Sequence, residues 1–266
     1  MAASTSEEET ALFVNAYAEA RQLFLENDHL PPLAKYNQVE LRQSIPFYWA
    51  AYHQMFEEHS REISNELNDV RHQNAMLAAW SKVLMKYDEQ DSWSLRNEFV
   101  DNIAIACLSA PHILKGRFVF SVSHLCHQAN LITDKTWTES RMPDDRHIHW
   151  STMLKVGDNW PKFQSLKNAL GEICSANYLS KTRMFRDKHH HRFPPRFELG
   201  QTELITRTIT PDGKASYGFG ALEPLKIDDM ALLVVEERKR AMEGFDLYIE
   251  LVRSQLEAIY SMTVSV

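Results

Sequence analysis

Between Pro46 and Tyr87, Phe56, Ile63, Val70, Leu77 and Leu84 recur every seven residues. Leu67 and Trp80 fall on the same side, and Glu, Arg, Asn, Gln and His fill the positions between. A sustained seven-residue spacing returns to one face of a helix, so it requires a single very long helix with an apolar seam. Such a seam is either the core stripe of a bundle or the contact face of a dimer. The remaining helices must be arranged around it.

Turn-forming residues are too scarce for an all-β alternative: the 266 residues include 8 Gly and 10 Pro. At 44% hydrophobic and 11% aromatic, the chain can bury a sizeable core. Thr5-Ser6, with Glu7, Glu8 and Glu9 in the first turn, predicts a helix running to about Asn27. Leu30-Pro31-Pro32-Leu33 breaks the chain, and a short helix is expected from Lys35 to Ser44. After the long helix, Asp91-Ser92 caps a helix from Trp93 to Leu108, and Pro111 opens another to Leu131. The pattern is lost between Thr133 and Trp160, which reads as a long loop with one short helix at His149 to Leu154. Pro161 suits the first turn of a helix reaching His191, continuous or kinked at Gly171.

The character then changes. Glu203 to Thr210 and Lys214 to Leu222 alternate and flank the turn Pro211-Asp212-Gly213, a β-hairpin pattern. Asp228 or Asp229 caps a last helix, striped by Val234, Ala241, Phe245, Ile249, Val252, Leu256 and Ile259. The expected fold is mainly α: a single domain over 1–266, built as a helical bundle of six or seven helices with one hairpin inserted at about 203–222. A division into two helical layers near 88–91 is the alternative.

The net charge of −7 means that a nucleic acid could be held only by a local basic patch. Cys107, Cys126 and Cys174 are odd in number and widely spaced, so neither a zinc ribbon nor a disulfide framework is indicated. Free thiols suit a reducing cytoplasm. The acidic N-terminus lacks the basic start and apolar core of a signal peptide, and no uninterrupted apolar run of about 18 residues occurs. The expectation is a cytoplasmic protein without a membrane partner or cofactor.

The chemistry concentrates in Phe185-Arg186-Asp187-Lys188-His189-His190-His191-Arg192-Phe193-Pro194-Pro195. The prolines end any helix there, so its cations lie in a last turn, where they complement the macrodipole without any further role. The same groups also suit RNA cleavage. An arginine grips phosphate in a bidentate manner, and a histidine moves a proton near neutral pH. A base for the 2′-hydroxyl and a cation for the pentacoordinate phosphate suffice without metal. Arg186, with Lys188, Arg192, Arg183, Arg196 and Lys181, makes the local basic patch such a chain needs. On an ideal helix His191 lies about 140° round from Arg186, whereas His189 and His190 face it better.

Arg186-Asp187 followed by His191 resembles the arginine–polar–x3–histidine motif of the HEPN superfamily. Of the Arg–His pairs with similar spacing (Arg117–His124, Arg141–His147, Arg183–His189, Arg183–His190 and Arg186–His191), only the last has Asn, Asp or His directly after the arginine. The resemblance implies an all-helical bundle, commonly dimeric. It also implies RNA as substrate, metal-independent endoribonuclease chemistry, and a setting such as toxin–antitoxin defence with an antitoxin as protein partner. Arg186 and His191 would be the catalytic pair, supported by Asp187, with Arg186 on the scissile phosphate and His191 as general acid or base. Lys188, His190, Arg192, Arg183 and Arg196 would bind substrate. Other members of the superfamily have lost catalysis and serve as binding modules, so a non-catalytic interaction module is the alternative.

Two further patterns carry chemistry. His124 and His127, with His147, His149, Asp144 and Asp145 in the long loop, could form a metal-binding bundle, although no HExxH or ExxH pattern accompanies them. Phe47-Tyr48-Trp49 with Tyr52 and His53 could stack bases. Both sets also fit ordinary core residues of a bundle.

Overall fold

The computed structural model describes residues 2–43 and 45–262. Helix α1 (Ala2–Leu25) precedes α2 (Phe47–Leu84), which carries the seven-residue stripe. Phe56, Ile63, Leu67, Val70, Leu77, Trp80 and Leu84 are all buried within the single chain. The stripe is therefore core. A run of helix follows: α3 (Glu89–Leu95), a π-turn (Arg96–Val100) and α4 (Asp101–Thr133). Then come α5 (Trp150–Gly157), α6 (Phe163–Glu172), α7 (Ala176–Lys181), α8 (Phe185–His191), strands β1 (Ile205–Ile209) and β2 (Ala215–Phe219), and α9 (Ile227–Ser261). The protein is thus mainly α-helical, with one inserted antiparallel hairpin.

Several local expectations are corrected. The first helix begins at Ala2, ahead of Thr5-Ser6. Residues 35–43 are not helical, and Ser44 lies outside the described residues. The backbone at and just before this stretch is held by side chains of the long helices. Asn68 brackets Ala34 by accepting from its N–H at 2.8 Å and donating to its carbonyl at 3.2 Å. Ser64 donates to the Lys35 carbonyl, Arg253 to that of Gln38 and Arg238 to that of Pro32. For Lys35 and Gln38 these bonds satisfy carbonyls that a helix would otherwise have paired internally.

Pro111 lies inside α4 and does not start a helix. It deprives the Cys107 carbonyl of its helical donor. One carbonyl further on, Leu108 accepts a bond from the Tyr178 hydroxyl at 2.8 Å. Burial of Leu108, Ala110 and Leu114 on either side offsets the proline's cost of about 3 kcal/mol. The cap of α3 is Asp88, whose carboxylate accepts from Asp91 N–H at 2.9 Å. The helix Glu89–Thr133 is also, among the described residues, the one long and apolar enough to cross a membrane by length and composition alone. Leu95, Val100, Ala104, Leu114, Phe118 and Val122 on it are buried inside the protein.

The helix expected from Pro161 to His191 is three helices. Cys174, Arg183 and Met184 adopt left-handed φ values of 55°, 53° and 58° at the two breaks. At the first, the Glu237 carboxylate accepts from Cys174 N–H at 2.8 Å. At the second, Met184 N–H donates back to the Leu179 carbonyl at 2.8 Å, a Schellman-type stop.

The chain divides into two compact units, one of residues 1–31, 70–109 and 176–235, the other of residues 32–69, 110–175 and 236–266. In the first, Phe99 of the π-turn stacks on Trp80 at 5.0 Å and meets Phe13 edge-on at 5.5 Å. The hairpin pairs Ile205 with Phe219 and Ile209 with Ala215. Every residue of both strands is exposed, Phe219 to 85%, so their alternating pattern buries no face in this chain.

In the second unit, Phe118, Phe245 and Tyr248 pack together, with ring centroids 6.0–6.4 Å apart. The Tyr52 hydroxyl donates to Gln255 Oε1 at 2.7 Å, and the Gln255 amide donates to Cys126 Sγ. Burial pushes the Cys107 and Cys126 thiols up to about 12, so neither is a reactive thiolate near neutral pH. At the end of α5, a Cβ on Gly157 would overlap the buried Phe163 ring. Replacing Gly157 with Ala should lower unfolding free energy by about 1–3 kcal/mol in a denaturant titration. A substitution with no effect would mean that α5 and Phe163 are not in contact.

Candidate functional site

α8 is short, and Phe185 fixes it. That ring is buried, stacks on His189 at 5.6 Å with an interplanar angle of 9°, and meets Phe197 at 5.3 Å. With Phe185 turned inward, the polar residues of α8 face outward. Arg186, His189, His190, His191 and Arg192 are exposed, while Asp187 and Lys188 are half-buried. The histidine rings follow one another round the helix end, His189 to His190 at 5.5 Å and His190 to His191 at 6.3 Å.

The sequence-derived set separates into two groups. Lys188 is neutralised by Glu203 at 2.5 Å, and Arg183 donates to the Glu223 carbonyl. Arg186, His191 and Arg192 form no side-chain hydrogen bond or ion pair among the described residues, and none joins Asp187 to Arg186 or to a histidine. Arg196 lies beyond Pro195, exposed, in the loop that leads to Gly200. The backbone around this cluster is unusual. Of the non-glycine residues with left-handed φ among those described, Arg183, Met184, Glu198 and Glu203 all flank α8. Each such conformation costs about 1–3 kcal/mol and persists only where the surroundings hold it.

The histidines of the second unit are differently employed. His127 is buried; its Nδ1 accepts from the Trp137 indole at 3.0 Å and its Nε2 faces Glu139 at 2.9 Å. Because Nδ1 accepts, Nε2 carries the proton and donates to the carboxylate. No ring lone pair is left for a metal. His124 Nε2 lies 3.1 Å from Asp145, and His147 and His149 are exposed in the loop. Among the described residues, no group of three or more His, Cys, Asp or Glu could hold a metal ion. The long loop brings carboxylates and an indole to these histidines rather than further imidazoles.

Of the aromatic stretch on α2, Trp49 and Tyr52 are core residues and His53 is buried. Phe47 is exposed, and the Tyr48 side chain lies outside the described residues. Base stacking on this stretch is therefore not open to Trp49 or Tyr52.

Two features were not singled out from the sequence. One is a cavity of about 480 Å³ bordered by His59, Glu62, Ile63, Ile113, Arg117 and Phe120. Phe120 packs between His59 at 5.5 Å and His124 at 4.4 Å, and His59 Nδ1 is buried without a hydrogen-bond partner. His59 was visible only as one polar residue among many on α2. The other is a cleft of about 630 Å³ over the π-turn, with Trp93 on its wall.

Compared with protein-family models, curated proteins and solved structures, the chain has no match.

Burial lowers the affinity of His59 and His124 for a proton, His124 further opposing His59 and Asp145 partly restoring His124. Burial lowers His53 in the same way. A histidine held neutral in the fold protonates first in the unfolded chain. Its stabilisation is therefore present above pH 6.5 and is lost as pH falls below that value towards the folded pKa. The melting temperature should fall between pH 7.5 and 5.5, and His59→Gln should make that decline shallower. An unchanged slope in the variant would place His59 in solvent.

Proposed function

We propose that this protein is a HEPN-like RNA-binding protein that cleaves RNA without a metal, using the exposed end of α8. The observation that carries the reading is the pairing of accessibility with lack of internal partners at Arg186, His191 and Arg192. Lys188 and Arg183, in contrast, are consumed by the fold. A solvent-facing guanidinium without a carboxylate partner is available to a phosphate.

In the reaction, a neutral His191 takes the proton from a ribose 2′-hydroxyl. The 2′-oxygen bonds to the adjacent phosphorus as the bond to the 5′-oxygen breaks. Arg186 neutralises the added charge on the phosphoryl oxygens, the departing 5′-oxygen takes up a proton from water, and His191 returns its proton to solvent. The products are a 2′,3′-cyclic phosphate and a 5′-hydroxyl. Five helical residues turn through about 500°, so one α8 presents Arg186 and His191 on different sides. A homodimer that brings two α8 ends together would allow one copy's arginine to serve the other's histidine. Cysteines that form no disulfide suit the reducing cytoplasm in which such an enzyme would act.

A second reading, a non-catalytic interaction module, is favoured by a specific surface. An apolar groove of about 690 Å³ runs along α1, bordered by exposed Val14, Tyr17 and Leu25 and by Phe99. A protein partner presenting an apolar helix or strand is the kind that such a groove would take.

Purified protein should cleave single-stranded RNA in the presence of EDTA. Arg186→Ala and His191→Ala should each slow cleavage by about a hundredfold or more. If both variants cleave and bind RNA as the parent does, α8 is a basic helix end and nothing more. Absence of cleavage together with unimpaired dimer or partner binding would favour the interaction module.

A further inference from the structure

The cleft over the π-turn is built from two segments of the same unit. One wall is a single helical face with Glu89, Trp93 and Asn97 spaced four residues apart, and Gln90 beside them. The opposite wall is the loop carrying Arg196 and Leu199, which turns at Gly200 with φ 89°. Arg96 forms the floor. It is 5% exposed, and its Nη1 donates to the carbonyls of Phe197 at 2.8 Å and Leu199 at 3.0 Å. The loop wall is thus pinned to the π-turn, in which Asp101 N–H reaches back five residues to the Arg96 carbonyl. Such turns occur mostly as single insertions in helices, frequently at functional sites.

Apart from Arg96, the polar and aromatic side chains that line this cleft are not engaged by the fold. Trp93 is 56% exposed, far above what a core indole shows, and has no ring partner among the described residues. Asn97, Gln90 and Glu89 are exposed, and no hydrogen bond or ion pair among the described residues occupies their side chains. Arg196 is likewise exposed and forms no ion pair there. The volume of about 630 Å³ lies in the range of small-ligand sites.

We infer that this cleft binds a nucleobase together with its neighbouring phosphate. A flat indole offers a stacking platform for a base. Glu89 accepts from the amino or imino N–H groups of the base edge, and the Asn97 and Gln90 amides both donate and accept. Arg196 on the loop wall supplies the cation for a phosphate oxygen. The cleft also connects to α8: Phe197, whose carbonyl Arg96 holds, packs on Phe185 at the first position of that helix. For the source of the base this inference rests on the RNA reading above, with the cleft gripping a nucleotide of the strand that α8 cuts. The same chemistry would accept a free nucleotide.

The test uses the full chain and a probe that cannot be cleaved, a short fluorescein-labelled 2′-O-methyl RNA with no attacking hydroxyl. Its affinity is read by fluorescence anisotropy across a salt series. Trp93→Leu should weaken binding about tenfold, and Trp93→Phe should restore most of it. Arg196→Gln should weaken binding and reduce the salt slope by about one. Because Trp93 and Arg196 are exposed, the variants should melt as the parent does. Calorimetry with the four nucleoside 5′-monophosphates forms the second arm. Trp93-dependent binding of a monophosphate but not of the oligomer assigns the cleft to a free nucleotide. Parent-like binding of both probes by Trp93→Leu and Arg196→Gln, or no binding of either probe by the parent, overturns the inference. Cleavage plays no part in either readout, and Trp93, unlike Arg196, lies outside the basic patch of α8, so the Trp93 variants show a failure of the cleft separately from a failure of the α8 chemistry.

Discussion

A buried guanidinium organises the region on which the functional reading depends. Arg96 sits in the π-turn and holds the Phe197 and Leu199 carbonyls, and its Nε lies 3.1 Å from Asp101. That last contact is an ion pair without hydrogen-bond geometry, since both atoms lack a bonded partner by angle. Burial outweighs the pull of Arg96, and secondarily of Arg196, and so raises the Asp101 carboxyl above the ordinary carboxylate range. A cation taken this far from water persists only where several acceptors surround it. Here those acceptors are the backbone of the loop that follows α8. The loop's course, the placement of Phe197 against Phe185 and the cleft under Trp93 all follow from one side chain.

The long helices were legible from local pattern because burial alone shapes them. The stripe from Phe56 to Leu84 and that from Val234 to Ile259 needed only the helical period. The hairpin was legible because Pro211-Asp212-Gly213 specifies a turn between two β-branched runs. Where the reading failed, a distant partner overrode a local signal. Pro111 marks a helix start in sequence, but packing on both sides carries α4 through it. A short helix was expected from Lys35 to Ser44, but Asn68, Ser64 and Arg253 bond to the backbone at Ala34, Lys35 and Gln38 instead. The stretch from Pro161 to His191 has no glycine at its second break. The left-handed Arg183 and Met184 gave no warning, because residues of those types rarely adopt that conformation.

The candidate site divides in the same way. The composition of α8 was plain, and so was its end at Pro194-Pro195. Which of its cations were already spent was not: Glu203 and the Glu223 carbonyl lie many residues away. His127 looked like a metal ligand by spacing, yet Trp137 and Glu139 occupy both of its nitrogens. Trp93 was unremarkable in sequence as the first residue of an expected helix, and only its exposure beside Arg196 makes it a candidate for stacking.

By itself, then, the amino-acid order determined a mainly helical chain with one hairpin and a dense run of phosphate- and proton-handling groups at Arg186 to His191. Periodicity, turn chemistry and composition are local properties, and they need no knowledge of what lies nearby. The tertiary structure alone decided which of those groups face solvent unpaired, which are neutralised, and that a second cluster around Trp93 and Arg196 exists. Exposure and pairing depend on residues far apart in the chain, brought together only when the core is buried.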